Sequence, residues 1–209
     1  MRYVLSTHPQ GTEEWKADRA GKATGSRAKD IRATIKSGEA AARRDYRTQL
    51  VVERLLGAPA DDVFINDAMR WGTENEPFAR MAYEAQTGNV VQEAGFAYLP
   101  SIAAGCSVDG FVESGILEIK CPKSATHIAY LMAKRLPPEY VAQATHNAYI
   151  TDAAFVDFVS YDPRLPENLQ LLVVRIERNE LPLKEYEAEL MQFLSECDAL
   201  EQQLRKRAA

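Results

Sequence analysis

Two carboxylates and a lysine stand close together in the segment from Gly105 to Lys123. Asp109 precedes one short apolar run, and Glu118 and Lys120 alternate with apolar residues in the next. Because successive side chains of a strand point to opposite faces, Glu118 and Lys120 share one face while their neighbours enter the core. Glycines at the turns predict that the two runs pair as a hairpin, with Asp109 beside Glu118. Two carboxylates at one end of a sheet form a site for a hard divalent cation.

Such a site suits phosphodiester hydrolysis, which needs an activated water, a neutralised phosphoryl group and help for the leaving oxygen. Mg²⁺ held by carboxylates supplies positive charge and makes a bound water more acidic. We predict that Asp109 and Glu118 are metal ligands and that the backbone carbonyl of Ile119 is a third. Lys120 would orient or deprotonate the water, or stabilise the phosphorane-like state. The alternative is a surface hairpin with a charged face, but Glu118 and Lys120 lie among apolar residues.

Two sets of helical residues each allow a structural and a functional interpretation. Glu76 and Arg80 are four apart on a predicted helix, and this spacing alone favours an exposed ion pair over a place beside a metal. Tyr140, Gln143 and Asn147 share one face of another predicted helix. That polar stripe is either functional or the solvent-facing side of the helix.

Length and composition are those of one globular domain spanning residues 1–209. No apolar run approaches the roughly 20 residues that span a membrane, and the first residues lack the apolar segment of a signal peptide. Three cysteines without CxxC spacing argue against a disulfide framework and a zinc site, so a cytoplasmic protein with no membrane partner is expected. His8, His127 and His146 have neither ligand nor triad spacing and are expected to be structural or surface residues.

The region from Lys16 to Arg47 is basic although the whole chain carries a formal charge of −5. It contains ten lysines and arginines against four acidic residues. Such a patch either meets phosphates or forms the solvated face of helices, and charge alone leaves both interpretations open.

Periodicity and chain-breaking residues predict an α/β domain with a central mixed sheet flanked by helices. One helix over Asp67–Thr87 should kink or break before Pro77 and bury Phe78 and Met81. The other predicted helices begin near Thr12 and span Ala28–Lys36, Glu39–Leu56, Ser124–Lys134, Glu139–Tyr149 and Lys184–Arg205. Besides the hairpin, strands are predicted over Asn89–Gln92, Ala94–Leu99, Ala153–Tyr161 and Leu169–Glu177.

Six sequence blocks in order resemble the family of bacteriophage lambda exonuclease and the YqaJ-like viral recombinases, within the PD-(D/E)xK nuclease superfamily. The blocks are EEWKADRAGKATGS (13–26), WGTENEPFARMAYEAQTG (71–88), CSVDGF (106–111), LEIKCP (117–122), YVAQATHNAYIT (140–151) and YDPRL (161–165). One departure is Val108, where the family usually has proline before the metal-binding aspartate. Proline contributes no ligand there, so the departure puts little in doubt.

The resemblance implies a restriction-endonuclease-like fold and roles for particular residues. Asp109 and Glu118 become metal ligands, Lys120 the water-activating lysine, Glu76 a helix carboxylate beside the metals and Gln143 an active-site glutamine. This reverses the preference for an ion pair at Glu76. The resemblance also implies a pocket for a 5′-terminal phosphate formed by Arg19, Ser26 and Thr24, and a guanidinium fork suits that phosphate geometrically.

The activity implied by the resemblance is a processive 5′→3′ exonuclease that uses Mg²⁺, with Mn²⁺ as a substitute and one or two ions per site. It would act on double-stranded DNA ends as a homotrimeric ring and hand 3′ overhangs to a single-strand annealing protein in a bacterial host. The alternatives are an endonuclease of the same superfamily and a catalytically silent DNA-binding module. The silent modules usually lack a metal-binding acid or the lysine, whereas Asp109, Glu118 and Lys120 are all present.

Overall fold

A computed structural model describes residues 3–60, 66–93 and 95–208 of the chain. The helices are α1 (Glu13–Arg19), α2 (Ala28–Ile31), α3 (Ala41–Leu56), α4 (Asp67–Thr87), α5 (Ser124–Ala133), α6 (Pro138–Thr151) and α7 (Leu183–Ala208). The strands are β1 (Val4–Leu5), β2 (Ala23–Thr24), β3 (Ala97–Leu99), β4 (Ala104–Cys106), β5 (Gly110–Val112), β6 (Gly115–Lys120), β7 (Phe155–Tyr161) and β8 (Leu171–Glu177). The predicted α/β class is confirmed.

The strands form two four-stranded mixed sheets. The first sheet has the order β1-β3-β4-β2, in which only β2 and β4 run parallel. The second has the order β5-β6-β7-β8, in which β6 and β7 run parallel and the outer pairs are antiparallel. The predicted hairpin is β5 and β6, with Gly110 opposite Leu117 and Val112 opposite Gly115. Its register brings the start of β5 to the middle of β6.

Helix α6 packs against both sheets and is the most buried helix of the fold. Every residue from Ala144 to Thr151 is buried. His146 lies inside this helix and bonds to the carbonyl of Gly105 at 2.9 Å and to the hydroxyl of Tyr186. His127 on α5 is also buried. Its Nδ1 lies 2.7 Å from the Ser160 hydroxyl oxygen, and its Nε2 lies 2.9 Å from the Leu169 carbonyl oxygen. The expectation of structural histidines is confirmed for these two residues.

Helix α7 packs against both α6 and α3. The contact between α3 and α7 includes Tyr46 and Phe193, whose ring centroids are 5.5 Å apart, and both side chains are fully buried. Burial of each ring contributes roughly 1.5–3 kcal/mol. None of the helices in the described ranges is both long and apolar enough to cross a membrane.

Helix α4 differs from its prediction in which side it buries. It continues without a break through Pro77, between an Asn66 cap and a left-handed Gly88. Phe78 and Met81, predicted to be buried, are 57% and 63% exposed. The buried side instead carries Asn75, Ala79 and Tyr83. The prediction was wrong because the helix packs on β6 and β7 through small and hydrogen-bonded residues rather than through its largest apolar ones.

Several other boundaries also differ from the predictions. The helix predicted over Ala28–Lys36 ends at Ile31, and the following segment is irregular. The strand predicted over Asn89–Gln92 is reduced to one isolated bridge between Gln92 and Phe111. Of the run Ala94–Leu99, only Ala97–Leu99 is a strand, and Ala94 lies outside the described residues. Strands β1, β2 and β4 were not predicted.

Candidate active site

The β5–β6 hairpin holds Asp109 beside the end of β6. The Asp109 N–H donates to the Leu117 carbonyl at 3.1 Å, and the Ile119 N–H donates to Asp109 Oδ2 at 2.5 Å. Because the N–H and C=O of one strand residue point to the same side, the Ile119 carbonyl also faces the Asp109 edge. The side chains of Leu117 and Ile119 enter the cluster beneath α4, so Glu118 and Lys120 face α6.

Glu118 is the most enclosed of these groups, with 2% of its surface exposed. Its Oε1 accepts hydrogen bonds from Lys120 Nζ and from Gln143 Nε2, and its Oε2 accepts one from Asn147 Nδ2 at 2.8 Å. Gln143 and Asn147 reach it from α6, so the polar stripe on that helix faces the site. The alternative that the stripe is simply the solvent side is wrong for Asn147, which is 1% exposed.

Glu76 extends from α4 into the cleft that Asp109 lines. One of its oxygens lies 2.9 Å from Arg80 Nη2, so the ion pair predicted from the i, i+4 spacing is present. Glu76 is also close enough to Asp109 for the two carboxylates to repel each other. The two interpretations of Glu76 are therefore compatible, since the residue that pairs with Arg80 also borders Asp109.

The acidic groups of the site have raised pKa values. Burial, reinforced by Asp109, raises the pKa of Glu76 to about 7. Burial likewise raises the pKa of Glu118 to about 7, against the opposing effect of Lys120. The pKa of Asp109 is also raised by burial. Burial alone would lower the pKa of Lys120, but Glu118 and Asp109 outweigh it and raise that pKa. The raised pKa values reflect burial of the carboxyl groups, which the pairing of Glu76 with Arg80 and of Glu118 with Lys120 only partly offsets.

The donor chemistry of the site fits a hard divalent cation. Three carboxylates and one backbone carbonyl are oxygen ligands of the kind that Mg²⁺ and Mn²⁺ bind. In the parts of the chain that the structure describes, no three His, Cys, Asp or Glu side chains are already arranged to hold a metal ion. Glu76 is turned towards Arg80, and Glu118 towards Lys120. Binding of a cation by all three acids therefore requires the carboxylates to approach one another more closely.

Arg19 lies in a second polar site on the first sheet. Its Nη1 donates to Ser107 Oγ at 2.9 Å, and its guanidinium lies 4.3 Å from the centroid of Trp15. Burial lowers the pKa of Arg19. Arg19 is thus held by a neutral hydroxyl and an aromatic face, and Ser107 is only two residues from Asp109. Ser107 was not identified from the sequence, where an isolated serine gives no signal.

The two other predicted pocket residues lie where β2 ends. Thr24 is buried and pairs with Gly105 in the parallel ladder, and its N–H donates to the Tyr46 hydroxyl at 2.9 Å. Ser26 is exposed in the following turn. Because β2 and β4 run parallel, this turn and Ser107, which follow the two strands, lie at the same edge of the sheet.

Most of the basic patch is neutralised within the fold. Arg43 and Arg47 bind Glu196 of α7, and Arg32 binds Glu189 at 2.7 Å. Other arginines pair with acids of the same region, as in Arg27 with Asp30 and Arg44 with Asp45. These pairs favour a structural role for much of the patch, in contrast to Arg19, whose hydrogen bond goes to a hydroxyl.

Comparisons with known proteins identify a family and related structures. The model of the YqaJ-like viral recombinase domain matches residues 14–154. The chain is 40% identical to LHK-Exo crystallised in complex with dAMP, with a TM-score of 0.85, over 94% of this chain and 98% of that one. A second structure of LHK-Exo, an alkaline exonuclease from Laribacter hongkongensis, is 41% identical over the same shares of the two chains, with a TM-score of 0.84.

A more distant structure shares the fold. The phage-related exonuclease from Haemophilus somnus 129PT is 15% identical, with a TM-score of 0.64, over 90% of this chain and 96% of that one. No curated protein sequence matches the chain. The family match and the alkaline exonuclease together support a nuclease role. The chain belongs to the YqaJ-like viral recombinase domain family.

Proposed function

We propose that the protein is a Mg²⁺-dependent exonuclease that degrades one strand of linear double-stranded DNA from its 5′ end. It releases mononucleotides processively and leaves 3′ overhangs for recombination by strand annealing. The observation that carries this proposal is the buried Glu118, which accepts hydrogen bonds from Lys120 and Gln143 beside Asp109. This acid–lysine–amide arrangement occurs in a chain 40% identical to an alkaline exonuclease.

The residues that would hold the metal are Asp109, Glu118, Glu76 and the backbone carbonyl of Ile119, for one or two ions, with Mn²⁺ as a substitute. When bound, Mg²⁺ supplies positive charge to the phosphoryl oxygens and makes a bound water more acidic. The raised pKa values of Glu76 and Glu118 support this assignment, because an added cation would stabilise their ionised forms.

Lys120 and Gln143 would act on the attacking water and the phosphate. Both donate to the same oxygen of Glu118, so both side chains point to one place. From there an ammonium group orients the water and stabilises negative charge on the phosphoryl group, and the amide of Gln143 holds the water or a phosphate oxygen in line. Neither contribution requires Lys120 to leave its contact with Glu118.

Arg19, with Thr24 and Ser26, would bind a 5′-terminal phosphate. A guanidinium that a neutral hydroxyl and an aromatic ring hold in place keeps its charge for a ligand, and its fork matches two phosphate oxygens. LHK-Exo was crystallised with dAMP, a deoxynucleoside monophosphate. The reaction proposed for this protein would release products of the same chemical class from the 5′ end.

The partners of the proposed exonuclease are double-stranded DNA ends, preferably 5′-phosphorylated, and a single-strand annealing protein. A homotrimeric ring around DNA would make degradation processive by topology, without tight binding. The protein would act in the cytoplasm of a bacterial host, encoded by a phage or prophage. The support for these assignments is the family membership.

The test compares linear and closed circular duplex DNA with Mg²⁺ or with a chelator. We expect the wild-type protein to digest the linear duplex only when Mg²⁺ is present and to leave the circle intact. Lys120→Ala should fold and bind the linear duplex but not cleave it. Fragments cut from the circle would replace the proposal with an endonuclease. Binding of both DNAs without cleavage by the wild type would replace it with a DNA-binding module.

A further inference from the structure

Asn147 joins the candidate metal site to the turn after β2. Its Nδ2 donates to Glu118 Oε2 at 2.8 Å, and the side chain is buried in the middle of α6. The NH₂ group of this amide, which donates that hydrogen bond, faces Glu118. The Oδ1 atom consequently points away from Glu118, towards the backbone of Gly25.

The contact between Asn147 and Gly25 is unusually close. A Cβ atom added to Gly25 would lie 2.1 Å from Asn147 Oδ1 and 3.1 Å from its Cγ. Any side chain at position 25 would therefore force the amide to move. Gly25 lies between Thr24 and Ser26, so the same turn carries two of the residues assigned to the 5′-phosphate pocket.

The orientation of Asn147 is retained at a cost. Within the described part of the chain, Oδ1 is buried and has no hydrogen-bond donor. An unsatisfied buried acceptor is rare in folded proteins and needs an explanation. Here the explanation is that the amide contacts two neighbours at once, because its NH₂ group donates to Glu118 and its Oδ1 lies against Gly25.

We propose that Asn147 is a positioning residue that couples the turn at Thr24–Ser26 to the Glu118 carboxylate, so that binding of a DNA end and binding of the metal assist each other. A phosphate held by the turn fixes Gly25, which in turn fixes the amide and the carboxylate behind it. By thermodynamic linkage, a cation that fixes Glu118 favours the turn conformation that binds the phosphate. The proposal rests on the function proposed above.

Size complementation between positions 25 and 147 tests this coupling. The variants are Gly25→Ala, Asn147→Ala and the double variant, with Thr145→Ala as the control. Thr145 is equally buried on α6, but among the described residues its hydroxyl bonds only to the Val141 carbonyl of its own helix. The first readout needs no cleavage and is the thermal unfolding temperature during titration with Mg²⁺. The second is the ratio of digestion rates for 5′-phosphorylated and 5′-hydroxyl ends.

We expect Gly25→Ala, although it lies outside the metal site, to raise the half-saturating Mg²⁺ concentration about tenfold, as does loss of a residue that orients a ligand. Asn147→Ala should do the same, and both variants should reduce the preference for phosphorylated ends. In the double variant the new methyl group enters the space that Asn147 vacates. The Gly25→Ala change should then add little, so the two effects are not additive. Thr145→Ala should match the wild type in both readouts.

Two results would overturn the coupling. One is a Gly25→Ala protein that folds and titrates with Mg²⁺ like the wild type, because the turn would then not communicate with Glu118. The other is strict additivity in the double variant. A wild type that binds Mg²⁺ but does not distinguish the two kinds of end would refute the proposed pocket instead, and the Mg²⁺ titration would still decide whether Gly25 acts on Glu118.

Discussion

The buried carboxyl of Glu118 should make the metal-free protein less stable as the pH rises. Its pKa is raised from about 4.5 to about 7, so the folded state binds its proton more tightly than the unfolded state does. The stability that this proton contributes is complete below pH 4.5 and is lost as the pH rises through 7. The shift corresponds to about 3 kcal/mol, of which about 1 kcal/mol is already lost at pH 5.

Glu118→Gln removes this titration and so isolates its effect. Relative to the wild type, the variant should gain roughly 2–3 kcal/mol of unfolding free energy between pH 5 and pH 8.5. Burial lowers the pKa of His146 to about 4, so this residue makes the stability of both proteins rise with pH. The difference in stability between the two proteins cancels that contribution. Any constant effect of the substitution on packing shifts the difference at every pH equally.

The assay is urea unfolding of both proteins at a series of pH values in the presence of a chelator. Glu74→Gln, at an exposed position on α4, is the control and should follow the wild type throughout. Saturating Mg²⁺ should flatten the wild-type pH dependence above pH 5, since a bound cation favours the ionised carboxylate. A difference between Glu118→Gln and the wild type that stays constant with pH would refute the reasoning.

Two further predictions concern the proposed phosphate pocket and a buried ion pair. Arg19→Ala should lose selectivity for 5′-phosphorylated over 5′-hydroxyl ends, measured as a ratio of digestion rates, whereas Arg44→Ala, which removes an exposed arginine paired with Asp45, should keep it. An unchanged ratio in Arg19→Ala would show that the pocket is assigned wrongly. Asp157→Ala breaks a buried carboxylate's bonds to Arg175 and Tyr83 and should cost about 3 kcal/mol in denaturant unfolding. A loss below about 1 kcal/mol would mean that hydrated Arg175 contributes little to this pair.

The hairpin at the centre of the site was predictable because its signals are local. Alternation around Glu118 and turn glycines beside β5 and β6 specify both the pairing and the shared face of Glu118 and Lys120. The ion pair between Glu76 and Arg80 is equally local and was found from spacing. The position of Glu76 beside Asp109 depends on how α4 docks onto the second sheet. Only the family resemblance predicted that position.

What could not be predicted depends on contacts between distant segments. Strand β2 has two residues and exists because it pairs with β4, about eighty positions further along the chain. The buried side of α4 was not predicted because it carries Tyr83, whose hydroxyl donates to Asp157, whereas Phe78 is exposed to solvent. Similarly, the polar stripe on α6 gave no indication that Asn147 would be enclosed between Glu118 and Gly25.

The most direct test of the central claim is digestion of a linear duplex labelled separately at its 5′ and 3′ ends, in the presence of Mg²⁺. We expect the 5′ label to be released at once as a mononucleotide, while the 3′ label stays on a strand that becomes single-stranded. Chelation of the metal should stop the release. Early release of the 3′ label, or of 5′-labelled oligonucleotides in place of mononucleotides, would contradict the proposed 5′→3′ exonuclease.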